Sequence, residues 1–275
     1  ATDPWNTAKA LTATTVALMR APSSRFKPVD VRTALREFAF NTKRRGDAPP
    51  EVAVILKWIE NNTFSMAVWE EPAKVDEVLR ALDSKLDGTR AAASSVKRNR
   101  RILNVAMEYA VKQKILRTNP LPKGRGTAPK TSSAVDKRSL LNPVQAARLL
   151  AWIRHRPRGG QRLHAFFATL YYIGARPEEA VAMRVADVRL PDEEAEDQWC
   201  ELVMHTAQPE VGKNWTDTGD IHEERGLKGR AEDDTRTVPG HPSLTRILRE
   251  HIKVENLKPG DLLFQGEFGG MLAGS

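Results

Sequence analysis

The chain is poor in the residues that most often disclose a chemistry. It has one cysteine, Cys200, in 275 residues. That excludes an internal disulfide and any cysteine-rich zinc site, and it suits a reducing cytosol. No apolar run approaches the ~20 residues of a membrane span, and Ala1-Thr2-Asp3-Pro4 has neither the basic start nor the apolar core of a signal peptide. A cytoplasmic protein with no membrane partner is expected. No cluster at metal-ligand spacing and no glycine-rich phosphate loop occurs, so neither a metal nor a cofactor is expected. There is no internal repeat. The missing initiator methionine and the closing Ala273-Gly274-Ser275 suggest an excerpt of something longer.

Positive charge is what the chain has in excess. The net charge is +8, which points to a polyanionic partner. It is concentrated between Arg90 and Lys130, where eleven Lys/Arg face a single acid, Glu108. Val96, Leu103, Ala106, Met107, Ala110 and Val111 give this run a helical apolar stripe, so the charge rides on a helix and not on a tail. Lys97, Arg98, Arg100 and Arg101 crowd the helix start if Ser94 or Ser95 caps it, where cations oppose the macrodipole. Phosphates would supply the missing negative charge, which favours a nucleic-acid backbone over a merely solvated face.

At 40% apolar and 28% charged the chain is ordinary globular material, long enough for two domains. Ahead of the basic helix, apolar spacing predicts helices over residues 6–19, 29–44, from 50 through Ile59, and 72–86, with Trp58 and Trp69 in or beside the core. Asn119-Pro120 ends the basic helix, and residues 123–137 read as an extended basic linker. The predicted organisation is a helical, nucleic-acid-binding domain over 1–122, that linker, and a second domain over 138–275. In the latter, Asn142-Pro143 caps a helix, Trp199 to Thr206 forms a strand, and a hairpin joins Arg225–Arg230 to Thr235–Pro239, with Pro239 stopping its second strand. A helix from Ser243 to Lys253 follows. The fold class is thus mainly α, an all-α domain followed by an α+β domain with a small antiparallel sheet.

The second domain is organised around Leu163 to Met183. Apolar residues at 163, 166, 167, 170 and 173 mark a buried helix that Gly174 ends. Pro177 keeps Arg176 out of helical dihedrals and can itself open a new helix, with Glu178 and Glu179 in its first turn. One arginine is thereby held at a helix start behind a rigid apolar element, a place suited to an anion. The residues alone leave a plainer alternative, a corner whose arginine only pairs with Glu179.

Gly174-Ala175-Arg176-Pro177-Glu178-Glu179-Ala180 resembles the first catalytic box of the tyrosine recombinases, or phage-type integrases, G-[LA]-R-x-x-E-[LA], with Met183 and Asp187 continuing the pattern. Glu108-Tyr109-Ala110-Val111 followed by Asn119-Pro120 is similar to the domain junction of actinobacterial integrases. Lys228 ahead of Arg236-Thr237-Val238-Pro239 matches the family's hairpin lysine before R-x-[VI]-P, with Arg230 as the neighbouring alternative. Leu262-Leu263-Phe264 and Gly269-Gly270 resemble the segment before the second box. The resemblance implies a core-binding domain plus the front half of a catalytic domain that binds duplex DNA and oligomerises on it. It also implies site-specific recombination through a phosphotyrosyl intermediate, with no cofactor. Arg176 would hold a non-bridging phosphate oxygen, Glu179 would hold the box, Lys228 would be the general acid, and Lys97, Arg98, Arg100, Arg101 and Arg230 would contact DNA. The family's second box and nucleophilic tyrosine are missing. His155-Arg156-Pro157-Arg158 and His222-Glu223-Glu224-Arg225 precede the hairpin lysine and are decoys, and Tyr109, Tyr171 and Tyr172 are expected on apolar helix faces before the first box. The chain alone is expected not to cleave. Its rivals are a non-cleaving DNA-binding module derived from an integrase and a helical transcriptional regulator, which would leave Lys228 unexplained.

Overall fold

A computed structural model describes residues 3–122, 136–192, 197–231 and 234–272. The chain divides into two compact units, Ala1–Ala134 and Val135–Ser275. Most of the expected linker lies outside the described residues. Among those described, the fold is mainly helical with small antiparallel sheets, and no helix is long and apolar enough to cross a membrane.

The first unit is helical throughout. It contains α1 (Pro4–Ala17), α2 (Pro28–Ala34), α3 (Pro50–Asn62), α4 (Pro72–Asp83) and α5 (Ala93–Lys112). Four of these begin on proline, whose fixed φ suits the first helical position and whose absent N–H would be unpaired there anyway. The helix expected over 29–44 is shorter. After α2 the chain takes a π turn over Leu35–Ala39, closed by Phe40 N–H donating to the Leu35 carbonyl, and then leaves the helical path. Trp69, Val75, Val78, Leu82, Leu103 and Met107 form the main core. Trp58 packs edge-on against Phe26 beside a smaller cluster around Val31, Leu35 and Ile59.

The second unit contains α6 (Pro143–Arg154), α7 (Gly160–Ile173), α8 (Pro177–Ala182), β1 (Val188–Arg189), β2 (Cys200–Met204), β3 (Thr206–Ala207), β4 (Arg225–Gly226), β5 (Arg236–Gly240) and α9 (Pro242–Val254). Asn142 opens α6 through a reciprocal capping box with Gln145. The sheet order is β1-β2-β5, all antiparallel, and β3 pairs separately with β4.

This pairing corrects the expected hairpin. Arg225–Arg230 does not pair with Thr235–Pro239. Both β4 and β5 run antiparallel to the stretch that carries β2 and β3, with Thr206 opposite Gly226 and Met204 opposite Arg236. The expected join through residues 231–234 lies partly outside the described residues. Pro239 does not stop β5 but sits inside it, opposite Glu201. It is tolerated because β5 is the edge strand and needs no outward donor there. Gly240 ends β5 where a Cβ would come within 2.6 Å of the Cys200 sulfur, so only glycine fits. The core joins Phe166, Leu202, Met204, Leu227, Leu244, Leu248, Leu263 and Phe264.

Two histidines are buried in this unit, His164 on α7 and His251 on α9. His251 donates from Nε2 to the Leu263 carbonyl at 2.7 Å. Burial is the leading cause that pushes both imidazoles below the usual 6.5. The unfolded chain therefore takes up protons near pH 6.5 that the folded chain refuses, so stability is complete above that pH and falls as pH drops through it. The melting temperature should be level from pH 8 to 7 and begin to decline as the pH falls through about 6.5, above the range where carboxylates titrate. His164→Leu should flatten that decline, and an unchanged slope in calorimetry would assign it to other groups.

Candidate phosphate-binding site

The site begins where α7 stops. Gly174 takes a left-handed conformation, φ +61°, and donates its N–H to Leu170 O at 3.1 Å. Arg176 is extended at φ −73°, ψ 148°, as a residue before proline should be. Glu179 is 2% exposed, and a buried carboxylate needs donors on both oxygens. It has three. Oε2 accepts the Arg176 backbone N–H at 3.0 Å, and Oε1 accepts Arg176 Nη1 at 2.7 Å. Oε2 also accepts Nη2 of Arg236, the first residue of β5, at 2.9 Å.

This arrangement differs from the expected one in two respects. With only six residues, α8 is too short for its terminus to hold an anion by its own field. Pro177 has no N–H, and the N–H groups of Arg176 and Glu179 are already donated to Glu179 Oε2 and to the Arg176 carbonyl, so these positions offer no backbone donor to a ligand. The outward-facing group is the guanidinium of Arg176, whose side chain is 45% exposed. Its Nε and Nη2 have no partner among the described residues. The second difference is Arg236, which the sequence reading used only to mark a strand. Its side chain is 31% exposed, Nη2 also approaches the Met204 sulfur at 3.1 Å, and Nε is buried without a partner among the described residues. Strand alternation could have flagged it, because Arg236 and Val238 share a more buried face than Thr237 and Pro239.

Neighbouring contacts tie this corner to the turn that carries Lys228. The Gln208 N–H donates to Glu178 O at 2.8 Å, which docks the end of β3 on α8. Leu227, just after β4, is buried in the core and pins the turn. Lys228 is exposed on that turn, followed by Gly229 at φ +81°, and has no partner among the described residues. Arg230 is engaged instead, with Asp234 at 2.9 Å and the Thr235 carbonyl at 3.4 Å. The two decoy histidines have local tasks, as His155 meets the Ala151 carbonyl and His222 meets the Gln208 carbonyl.

In the first unit, α5 starts at Ala93 with Ala92 as its cap residue and no side-chain cap, so Ser94 and Ser95 lie inside the helix. Lys97, Arg98 and Arg101 are exposed and have no ion-pair partner among the described residues. Arg100 differs. Its Nε and Nη2 grip Asp83 at 3.0 and 2.5 Å, which ties α5 to α4. Tyr109 is 62% exposed and not on the apolar face of α5, because the helix turns its buried stripe along Leu103, Met107 and Ala110. Tyr171 is exposed and Tyr172 stacks on His241 with centroids 5.4 Å apart. No group of three or more His, Cys, Asp or Glu that could hold a metal occurs among the described residues.

No family model matches this sequence, and no curated protein matches it. Solved structures do. The Tn1549 transposon integrase in complex with a circular intermediate DNA superposes with a TM-score of 0.56 at 15% identity, covering 87% of this chain and 73% of that one. A second circular-intermediate complex of that integrase gives 0.55 at 15%, and its complex with transposon right end DNA gives 0.55 at 16%, with the same coverage. The fold resembles that of the Tn1549 integrase. At such low identity the likeness is one of architecture and assigns no role to Arg176, Glu179 or Lys228.

If Glu179 holds two guanidiniums in place, its loss leaves both without their shared counter-charge. Glu179→Ala should cost about 3 kcal/mol of stability, the low end of the usual range because both arginines keep some solvent. Arg176→Ala should cost less, since Arg236 still satisfies the carboxylate. Chemical denaturation of the two variants checks the order, and equal costs would contradict it.

Proposed function

We propose that this chain is the DNA-binding and front catalytic part of a tyrosine-type site-specific recombinase. The observation that carries the proposal is the half-exposed guanidinium of Arg176, held from behind by the buried Glu179, with Nε and Nη2 left without a partner among the described residues. It stands within a fold that resembles that of the Tn1549 integrase. In this reading a tyrosine attacks a backbone phosphate, forms a 3′-phosphotyrosyl bond and releases a 5′-oxygen that takes up a proton. Arg176 stabilises charge on a non-bridging oxygen, as a preorganised donor does. Lys228, exposed on its turn with no partner among the described residues, is the proposed proton donor to the leaving oxygen. The phosphotyrosyl bond conserves the energy of the broken one, so the reading needs neither a metal nor a nucleotide. Assembly of several copies on DNA and a cytoplasmic setting belong to the same proposal.

Lys97, Arg98 and Arg101 are the proposed phosphate contacts of the first unit. Arg100 is assigned to structure because Asp83 occupies its planar fork. Replacing the first three by Gln should flatten the slope of log K against log[salt] by about 2.5–3, at ~0.9 per phosphate contact. Arg100→Gln should mainly lower stability. The duplex for these titrations is one selected by this chain from a random library. An unchanged slope in the triple variant would mean a merely solvated face.

The nucleophile is proposed to be none of Tyr109, Tyr171 and Tyr172. Tyr171 and Tyr172 sit within the continuous helix α7, and Tyr172 is stacked on His241. Tyr109 lies on α5 of the other unit. Residues 1–275 should therefore bind a nicked duplex without becoming covalently attached. A denaturation-resistant protein–DNA band would overturn this, and its loss on changing one of the three tyrosines to Phe would name the nucleophile.

A further inference from the structure

We propose that Arg236 is a positioning residue for phosphate recognition by Arg176. By taking Oε2 of Glu179, it limits the buried carboxylate to one side-chain donor from Arg176 and keeps the outer edge of that guanidinium open. The proposal rests on the reading of Arg176 given above and extends it to a residue on another element.

The argument is one of donors and acceptors. An ionised carboxylate offers about four acceptor positions. Glu179 fills three of them, with the Arg176 N–H, Arg176 Nη1 and Arg236 Nη2. Without Arg236, Oε2 keeps only the backbone N–H, and the Arg176 fork is free to close on both oxygens, the geometry that guanidinium and carboxylate prefer. Donors that now face outward would then face Glu179. Charge works in the same direction. Two guanidiniums and one carboxylate leave the cluster with one net positive charge, and loss of Arg236 leaves none. Arg236 itself is turned inward. Its Nε is buried, Nη2 lies between Glu179 and the Met204 sulfur, and its side chain is the less exposed of the two. It therefore acts through Glu179 and not on a ligand. Because Glu179 receives a single N–H from Arg236, a point cation of similar reach can replace it.

The test uses residues 1–275 and a duplex selected from a random library, with single phosphates replaced in turn by neutral methylphosphonates. The phosphate that meets Arg176 is the one whose neutralisation weakens wild-type binding by about tenfold, the scale of one charge-assisted hydrogen bond, and has no effect on Arg176→Ala. Arg236→Gln should reduce that penalty to about threefold, while in a Glu179→Gln background the same change should alter it by less than about twofold, because coupled residues are non-additive. An unaltered penalty in Arg236→Gln overturns the proposal. So does an equal reduction in both backgrounds, which would make Arg236 a direct phosphate ligand. If circular dichroism shows that Arg236→Gln does not fold, Arg236→Lys decides. It should keep the penalty near tenfold, and a folded Arg236→Lys that behaves like Arg176→Ala contradicts the proposal. If no phosphate shows a penalty that depends on Arg176, the phosphate site itself fails and this inference with it.

Discussion

A carboxylate removed from water must be met by donors, and Glu179 is the point at which that requirement organises the second unit. Desolvating one such group costs several kcal/mol unless hydrogen bonds and counter-charge offset it. Here the offset comes from the chain just before α8 and from the first residue of β5. That demand fixes α8 against the sheet, and the Gln208–Glu178 backbone bond extends the contact to β3. The result is a guanidinium whose inner edge is structural and whose outer edge has no partner among the described residues. Electrostatic recognition benefits from such preorganisation, because the donor need not reorient when the anion arrives.

The first unit solves a different problem. Its basic helix begins without a side-chain cap and carries cations in its first turns, a start that is locally less favourable than a capped, acidic one. The cost is compensated behind the helix. Arg100 clamps Asp83, and the faces bearing Leu103 and Met107 are buried with α4 and Trp69. The exposed cations are thus mounted on a face that packing holds rigid, which is how a helix can present charge to a phosphate backbone without first ordering it.

Most of the architecture was legible because local signals agreed with the tertiary outcome. Proline opens α1, α2, α3, α4, α6, α8 and α9, and apolar spacing located the buried faces of α4 and α9, but not that of α1, which buries Ala8, Ala10, Thr12 and Thr14, nor all of that of α6, where Val144 and Leu149 are exposed. What the sequence could not disclose was pairing across distance. The Arg225–Arg230 stretch looked like one arm of a hairpin with Thr235–Pro239, since both are short, polar and close in sequence. Their actual partner is the same preceding strand region, a choice set by side chains such as Leu227 and Met204 finding one core. Pro239 misled for a related reason, because nothing local says that β5 is an edge. The site was half legible. Arg176 and Glu179 stand three residues apart and were readable as a pair, whereas Arg236 is distant in sequence and joins them only through the fold. Arg100 showed the reverse case, one cation among four whose partner, Asp83, lies on the preceding helix.

The central claim is that the open edge of Arg176 receives a DNA phosphate. A structure of residues 1–275 bound to a duplex selected by the chain tests it most directly. The account predicts a backbone phosphate oxygen at ordinary charge-assisted hydrogen-bond distance, about 2.7–2.9 Å, from Nε or Nη2 of Arg176, with Glu179 still bound to Nη1 and to Arg236. A complex in which DNA is held firmly while Arg176 faces only solvent or folds back onto both oxygens of Glu179 would contradict it.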